Sequence, residues 1–346
     1  MANSVLIAQP APARIRVVRT LRGLRKRHIL LAISVFVLLL VAGTGILALW
    51  VSPHDPRRGN LEDQKLPPAW IGEKVTFKTV VDFPQPGLGH EQISIAKAQR
   101  IKEGVALGDQ VPVVVSAGGN AKYLLGTDHL GRDILSRIIH GARISLILVA
   151  IVLGIGGTIG TSLGLAAGYY GGLMDELIMR IVDVFLALPL FLVALVLVVA
   201  VGQSFFIIVA VLVLFIWVRF ARQVRGEVLR LKTMDYVALA KVAGASTRRI
   251  LFVHLLPGVA NTVIVVATLQ VSIVILTESG LSFLGAGVPP PTPAWGSMVA
   301  DGRDFLADAW WISTMPGLAI MLTVLSMNLF GDWLRDTLDP RLRQVR

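Results

Sequence analysis

The sequence predicts an all-α integral membrane protein with six transmembrane helices, both termini on the cytoplasmic side. Three observations carry that prediction. Of 346 residues, 54% are hydrophobic and 16% charged, against about 25% charged in a soluble domain. Six apolar stretches, near residues 29–50, 142–168, 178–201, 204–221, 259–284 and 311–331, approach or exceed the roughly 20 residues that cross a bilayer as a helix. Lysine and arginine collect beside some of these stretches and avoid others.

The first element is a basic tail, residues 1–28, with Arg14, Arg16, Arg19, Arg22, Arg25, Lys26 and Arg27 ahead of the apolar run 29–50. A secretory signal has an apolar core of only about 7–15 residues, so the run reads as an uncleaved first span. The net charge of +11 is a topology signal here rather than a nucleic-acid footprint, because the basic residues flank apolar runs. The segment 219–257 holds Arg219, Arg222, Arg225, Arg230, Lys232, Lys241, Arg248 and Arg249, and the C-terminal tail holds Arg335, Arg341, Arg343 and Arg346. Residues 286–310 hold only Arg303, against Asp301, Asp304 and Asp308. The positive-inside rule therefore puts both ends and the 219–257 segment in the cytoplasm.

Residues 51–130 form an extracytoplasmic segment despite nine Lys/Arg, since long loops translocate largely regardless of charge. Within it, VTFKTVV (75–81) and VPVVV (111–115) are β-rich and bounded by Pro and Gly, while residues 93–105 suit a strand or a short helix. Residues 71–122 are expected to be a small β-rich insert, the alternative being a loosely ordered loop. Residues 131–346 then form the five-span core.

The second span is rich in Gly, Ala, Ser and Thr, which permits close helix packing inside a bundle, against this chain or a partner. Glu176–Arg180 and Arg180–Asp183 are spaced as helix-end ion pairs. Glu278, near the outer end of the fifth span, either lines a translocation path or pairs with a neighbour. The prolines of 288–295 exclude helix there and are expected to hold Trp295 at the membrane interface.

Catalysis finds no support. There is no cysteine, no Gly-Lys pair for a phosphate loop, and no histidine pair at metal spacing. The cytoplasmic loop 222–257 is different in kind. Thr233 or Asp235 suits an N-cap, Gly244 a C′ stop, Ser246 the N-cap of a second helix over 247–256, and Pro257 its end or the start of the next span. Two short helices with a tight joint describe a docking element better than an ordinary basic loop.

That segment, residues 237–258, resembles the EAA loop of ABC importer permeases, with Ala238-Leu239-Ala240 at the triplet, Gly244 at the glycine and His254 to Pro257 at the end. The departures at Ala238, Leu239 and His254 look like the dipeptide/oligopeptide/nickel branch. LGTDHLGRDILSRIIHGARISL (125–146), ESGLSFLGAGVPPPTPAWGSM (278–298) and GDWLRDTLDPRLR (331–343) resemble the same branch, in its "C"-type permease. The insert departs from it. The resemblance implies a second, "B"-type permease, one or two ATPase subunits carrying ATP and magnesium, an extracytoplasmic substrate-binding protein, and peptides as cargo. It implies a coupling set of Tyr236, Ala240, Gly244, Ala245, Ser246, Arg248, Arg249, His254 and Pro257. An ion-coupled secondary transporter using Glu278 or Asp183 is the alternative; it would more naturally show a broken helix and an internal repeat.

Overall fold

The computed structural model describes residues 13–85, 92–116 and 118–338. Residues 1–12 of the basic tail, and Arg341, Arg343 and Arg346, lie outside the described residues. Helix α1 (Ala13–Ile46) begins within the expected tail and is followed by a short α2 (Ala48–Val51). Three strands come next: β1 (Lys74–Val81), β2 (Gln92–Ser94) and β3 (Gln110–Ser116), with α3 (Ile95–Ile101) between the last two. The bundle follows as α4 (Ile134–Tyr170), α5 (Gly172–Ala187), α6 (Leu190–Val201), α7 (Phe205–Leu231), α8 (Asp235–Val242), α9 (Thr247–Arg249), α10 (Leu256–Phe283), α11 (Trp295–Gly302) and α12 (Trp311–Leu338). Five helical stretches are long and apolar enough to cross a membrane, and six if α5 and α6 count as one bent span.

The sheet has the order β2-β1-β3, with β2 parallel and β3 antiparallel to β1. Val80, Ile93, Ala98, Val105 and Val111 form its own small core. Residues 93–105 divide between β2 and α3. The excursion closes on itself: the Gly119 N–H donates to Ile71 O at 2.7 Å, and a Cβ at Gly119 would lie 2.0 Å from Pro68 O. The chain thus leaves and re-enters the bundle at nearly one point.

Helix α4 opens on Asp133, whose carboxylate accepts from Ser136 N at 3.0 Å, an N-cap that satisfies an otherwise unpaired donor. Its small residues pack within this chain, against α7. Gly156, Gly160, Gly164 and Gly168 recur every four residues along one face. A Cβ on them would lie 2.0 Å from Ile216 Cγ2, 2.2 Å from Trp217 O, 2.6 Å from Ala221 O and 2.7 Å from Val228 Cβ. Without glycine the two backbones could not approach as closely as they do.

The single span expected over 178–201 is corrected. It is two helices bent by 81°. Pro189 supplies no N–H and disfavours helical geometry at Leu188, so α5 stops at Ala187 and Pro189 caps α6. The second short helix expected in the cytoplasmic segment is also corrected. From Thr247 the chain is helical without a break to Phe283. Residues Ile250–Leu255 form a π turn within it, and Leu256 N–H reaches Leu251 O. Pro257 cannot donate to the carbonyl four residues back, and the widened turn accommodates that gap.

Trp295 is likewise not at an interface. It is 1% exposed, starts α11, and its indole Nε1 donates to Ile138 O at 2.9 Å. Gly141 makes room for the ring: a Cβ there would meet the indole at 2.6 Å.

Candidate coupling element and the buried charges of the bundle

The polar segment between α7 and α10 is built around one anchored helix. Val237 of α8 is fully buried among Leu165, Val224, Val228, Leu231, Ile250, Leu255 and Val259. Neither residue expected to cap α8 does so. Its N-cap is Met234, which makes no side-chain bond, because the Thr233 hydroxyl turns back to Arg230 O at 2.8 Å and Asp235 falls in the first turn. At the other end Gly244 has φ +77. Gly244 N–H donates to Lys241 O and Ala245 N–H to Ala240 O, both at 3.0 Å. This pair of reversed bonds is the Schellman stop. The Ser246 hydroxyl then accepts from Arg249 N at 3.4 Å, capping the long helix that contains α10.

With Val237 pointing inward, the opposite side of α8 is open. Leu239 is 67% and Val242 87% exposed. Ala238, Lys241, Ala243, Gly244, Ser246, Arg248 and Arg249 are exposed too, while Ala240 and Ala245 are half-buried. The sequence reading placed the small residues and the arginines in the coupling set but left out Leu239, noted there only as a departure from the family pattern, and Val242. Their signal was present: two large apolar residues three apart on a charged loop helix, opposite a buried Val237. Tyr236 and His254 face each other with ring centroids 6.4 Å apart, tying α8 to the π turn. Pro257 is exposed in the first turn of α10.

Ion pairs fix the same end of the bundle. Arg225 of α7 holds Asp175 of α5 through Nε at 2.5 Å and a second nitrogen at 2.6 Å. Arg180 reaches Glu176 at 3.7 Å. The expected Arg180–Asp183 pair is replaced, since Asp183 meets Arg222 of α7 at 2.5 Å. Lys232 Nζ donates to Tyr169 O at 2.6 Å. These contacts lash α5 and the end of α4 to α7.

Glu278 is 1% exposed. Its Oε1 accepts from the Ser282 hydroxyl at 2.6 Å, and Oε2 has no partner among the described residues. Gly287 and Gly296 close over it, with Cβ positions 1.8 Å from Ser282 Oγ and 2.2 Å from Ser279 O. A cavity of about 250 Å³ opens where α5 bends into α6, between Phe185, Leu188, Phe191, Phe215 and Arg219. The α10 residue with a polar side chain on its wall is Thr277, not Glu278.

A second cluster escaped sequence reading. Before α4, Asp128 accepts from Leu130 N and Arg132 N, both at 2.9 Å, and from Arg132 Nε at 2.7 Å. Arg137 also donates to it. Both arginines approach Asp301 of α11, at 3.7 and 3.6 Å. Burial pushes the Asp128 carboxyl upward, but Arg137, the Arg132 N–H and the Arg132 guanidinium outweigh it and hold the group below its ordinary value.

The family pattern of the binding-protein-dependent transport system inner membrane component matches residues 160–344, from the glycine face of α4 through α8 and beyond α12. The chain belongs to this family. It is 37% identical over 308 residues to a di/tripeptide transport system permease of Pseudomonas aeruginosa, covering 89% of this chain and 87% of that one. It is 37% identical to a dipeptide transport system permease of Haemophilus influenzae, covering 90% of each. A glutathione transport system permease of Pectobacterium atrosepticum is 44% identical over 66% of this chain and 76% of its own. The protein is a multi-pass inner-membrane permease of an ABC importer. The permease does have the broken helix that the ion-coupled alternative called for, yet its family sets that alternative aside.

Proposed function

We propose that this permease forms half of a translocation pathway for peptides, coupled to cytoplasmic ATPases through α8 and the start of the following long helix. Relatives named for di/tripeptide and dipeptide transport support the cargo. A second permease of "B" type completes the pathway, an extracytoplasmic binding protein delivers the peptide, and ATP with magnesium is held by the ATPase subunits. Both termini and the 222–257 loop lie in the cytoplasm, and the β-sheet excursion lies outside.

The observation that carries the coupling role is the exposed apolar tip of α8, Leu239 and Val242, locked at a fixed angle to a helix that continues into the membrane. An exposed apolar patch rimmed by charge marks a protein interaction site. Here the rim is Arg248 and Arg249. Movement of a bound ATPase acts on Ser246 and, through one unbroken helix, on the membrane interior.

The test is Gly244→Val. No atom lies within 4 Å of a Cβ there, so the change acts through the backbone alone, at about 1–2 kcal/mol for a side chain held in left-handed geometry. The variant is expected to insert at wild-type level and to lose peptide uptake, with ATP hydrolysis no longer responding to binding protein. Gly244→Asn, which tolerates positive φ better, should keep an intermediate rate. Full uptake by Gly244→Val would remove the coupling role.

A further inference from the structure

An open cleft of about 730 Å³ lies between α2, the turn after it, and the first third of α4. The cleft and its mouth are lined by His54, Asp55, Arg57, His140 and Arg143, by Leu49, Ile144 and Ile147, and by Thr292 and Pro293 of the loop before α11. The mouth carries charge that the protein does not neutralise. Asp55 is already engaged, accepting from Arg57 N at 2.9 Å and facing Arg58 Nε at 3.4 Å. His54 faces Asp133 at 3.4 Å. The guanidinium groups of Arg57 and Arg143 have no hydrogen bond or ion pair among the described residues.

Below the mouth the surface turns apolar along one side of α4. Ile147, Ala150 and Gly154 follow Arg143 by four, seven and eleven residues, which is one helix face, and all three are exposed. Gly154 has open space where a Cβ would be, so nothing in this chain covers the face at that level. The level of the mouth is also defined. Gly45 of α1 packs against the Arg143 backbone, with a Cβ position 3.2 Å from Arg143 N. Just beyond that crossing Trp50 is 85% exposed, as expected of an aromatic at the boundary of hydrocarbon and water.

We propose that this cleft is a binding site for one anionic phospholipid, its phosphate between Arg57 and Arg143 and an acyl chain along Ile147, Ala150 and Gly154. A guanidinium matches phosphate geometry, and an uncovered apolar face beside a basic cleft matches the amphiphile.

Native mass spectrometry of the full-length permease decides the matter, in micelles holding equal phosphatidylglycerol and phosphatidylcholine of identical chains. The wild type should retain one phosphatidylglycerol in preference. Arg57→Gln with Arg143→Gln should lower that preference about tenfold. Ile147→Trp, which fills the cleft and leaves the charges, should lower retention of both lipids. Arg180→Gln, at the other end of the bundle, should leave the lipid preference unchanged. Added phosphatidylglycerol should raise the melting temperature of the wild type and not of the double variant, which separates loss of the site from loss of the fold. Unchanged preference in the double variant overturns the proposal. So does displacement of the lipid by equimolar inorganic phosphate, which makes the site one for phosphate alone. Cross-linking of a cysteine at position 147 to a co-purifying protein, with no lipid retained, overturns it in favour of a subunit interface.

Discussion

Asp128 stands between two buried arginines and is the acceptor that makes their burial tolerable. Removing one partner of a buried ion pair leaves uncompensated charge, so Asp128→Asn is expected to cost about 3 kcal/mol of stability at neutral pH. Thermal unfolding in detergent measures it. The sign with pH follows from the lowered pKa of the folded state. The contribution is complete above the ordinary aspartate value and is lost as pH falls through the lower, folded value. Wild type and variant should therefore converge only in acid, below about pH 4. The sequence made part of this legible: Asp128 and Arg132 are four apart. Arg137 was not, because the turn before α4 folds Asp128 back towards it, nor was Asp301, which arrives by the packing of α11 on α4. Trp295 was misread for a related reason. Its pattern, an aromatic after a proline run, fits a boundary residue, and only the Gly141 notch and the Ile138 carbonyl that accepts its indole N–H explain why it is buried.

At the scale of elements, the contact between α4 and α7 rests on absent side chains. Gly160→Ala puts a methyl group against the Trp217 carbonyl, which is backbone and cannot swing aside. It should destabilise by about 1–3 kcal/mol. Gly154→Ala, into open space, should be neutral or stabilise by about 0.5–1 kcal/mol through helix propensity. Melting of the two variants side by side checks the pair. The packing role of this span was readable from its small residues, but not which helix lies against it. The bend at Pro189 was written in the sequence and was hidden by apolar residues on both sides, since hydropathy carries no record of a missing N–H. Pro257 suited either an end or the start of the next span; a wider turn accommodates it, and the helix goes on.

At the scale of the whole molecule, the sheet and α3 leave the bundle and return where they left. Their core is separate from that of the helices. Deletion of residues 73–118, joining Gly72 to Gly119, is therefore expected to leave a folded, membrane-inserted bundle with a melting temperature near that of the wild type. Size-exclusion chromatography with thermal unfolding tests it, and an aggregated product would show that the excursion supports the bundle. The long helix has the opposite character, being shared by every layer it crosses. From Ser246 to Glu278 it measures about 48 Å at 1.5 Å per residue, more than the ~30 Å thickness of hydrocarbon. Treated as a lever pivoting near one end, a tilt of about 5° sweeps the other end through about 4 Å over that length. The mechanical gain from the capping serine to the buried carboxylate is thus large enough that a small angular stroke at the Ser246 end amounts to a displacement of side-chain size at the far one.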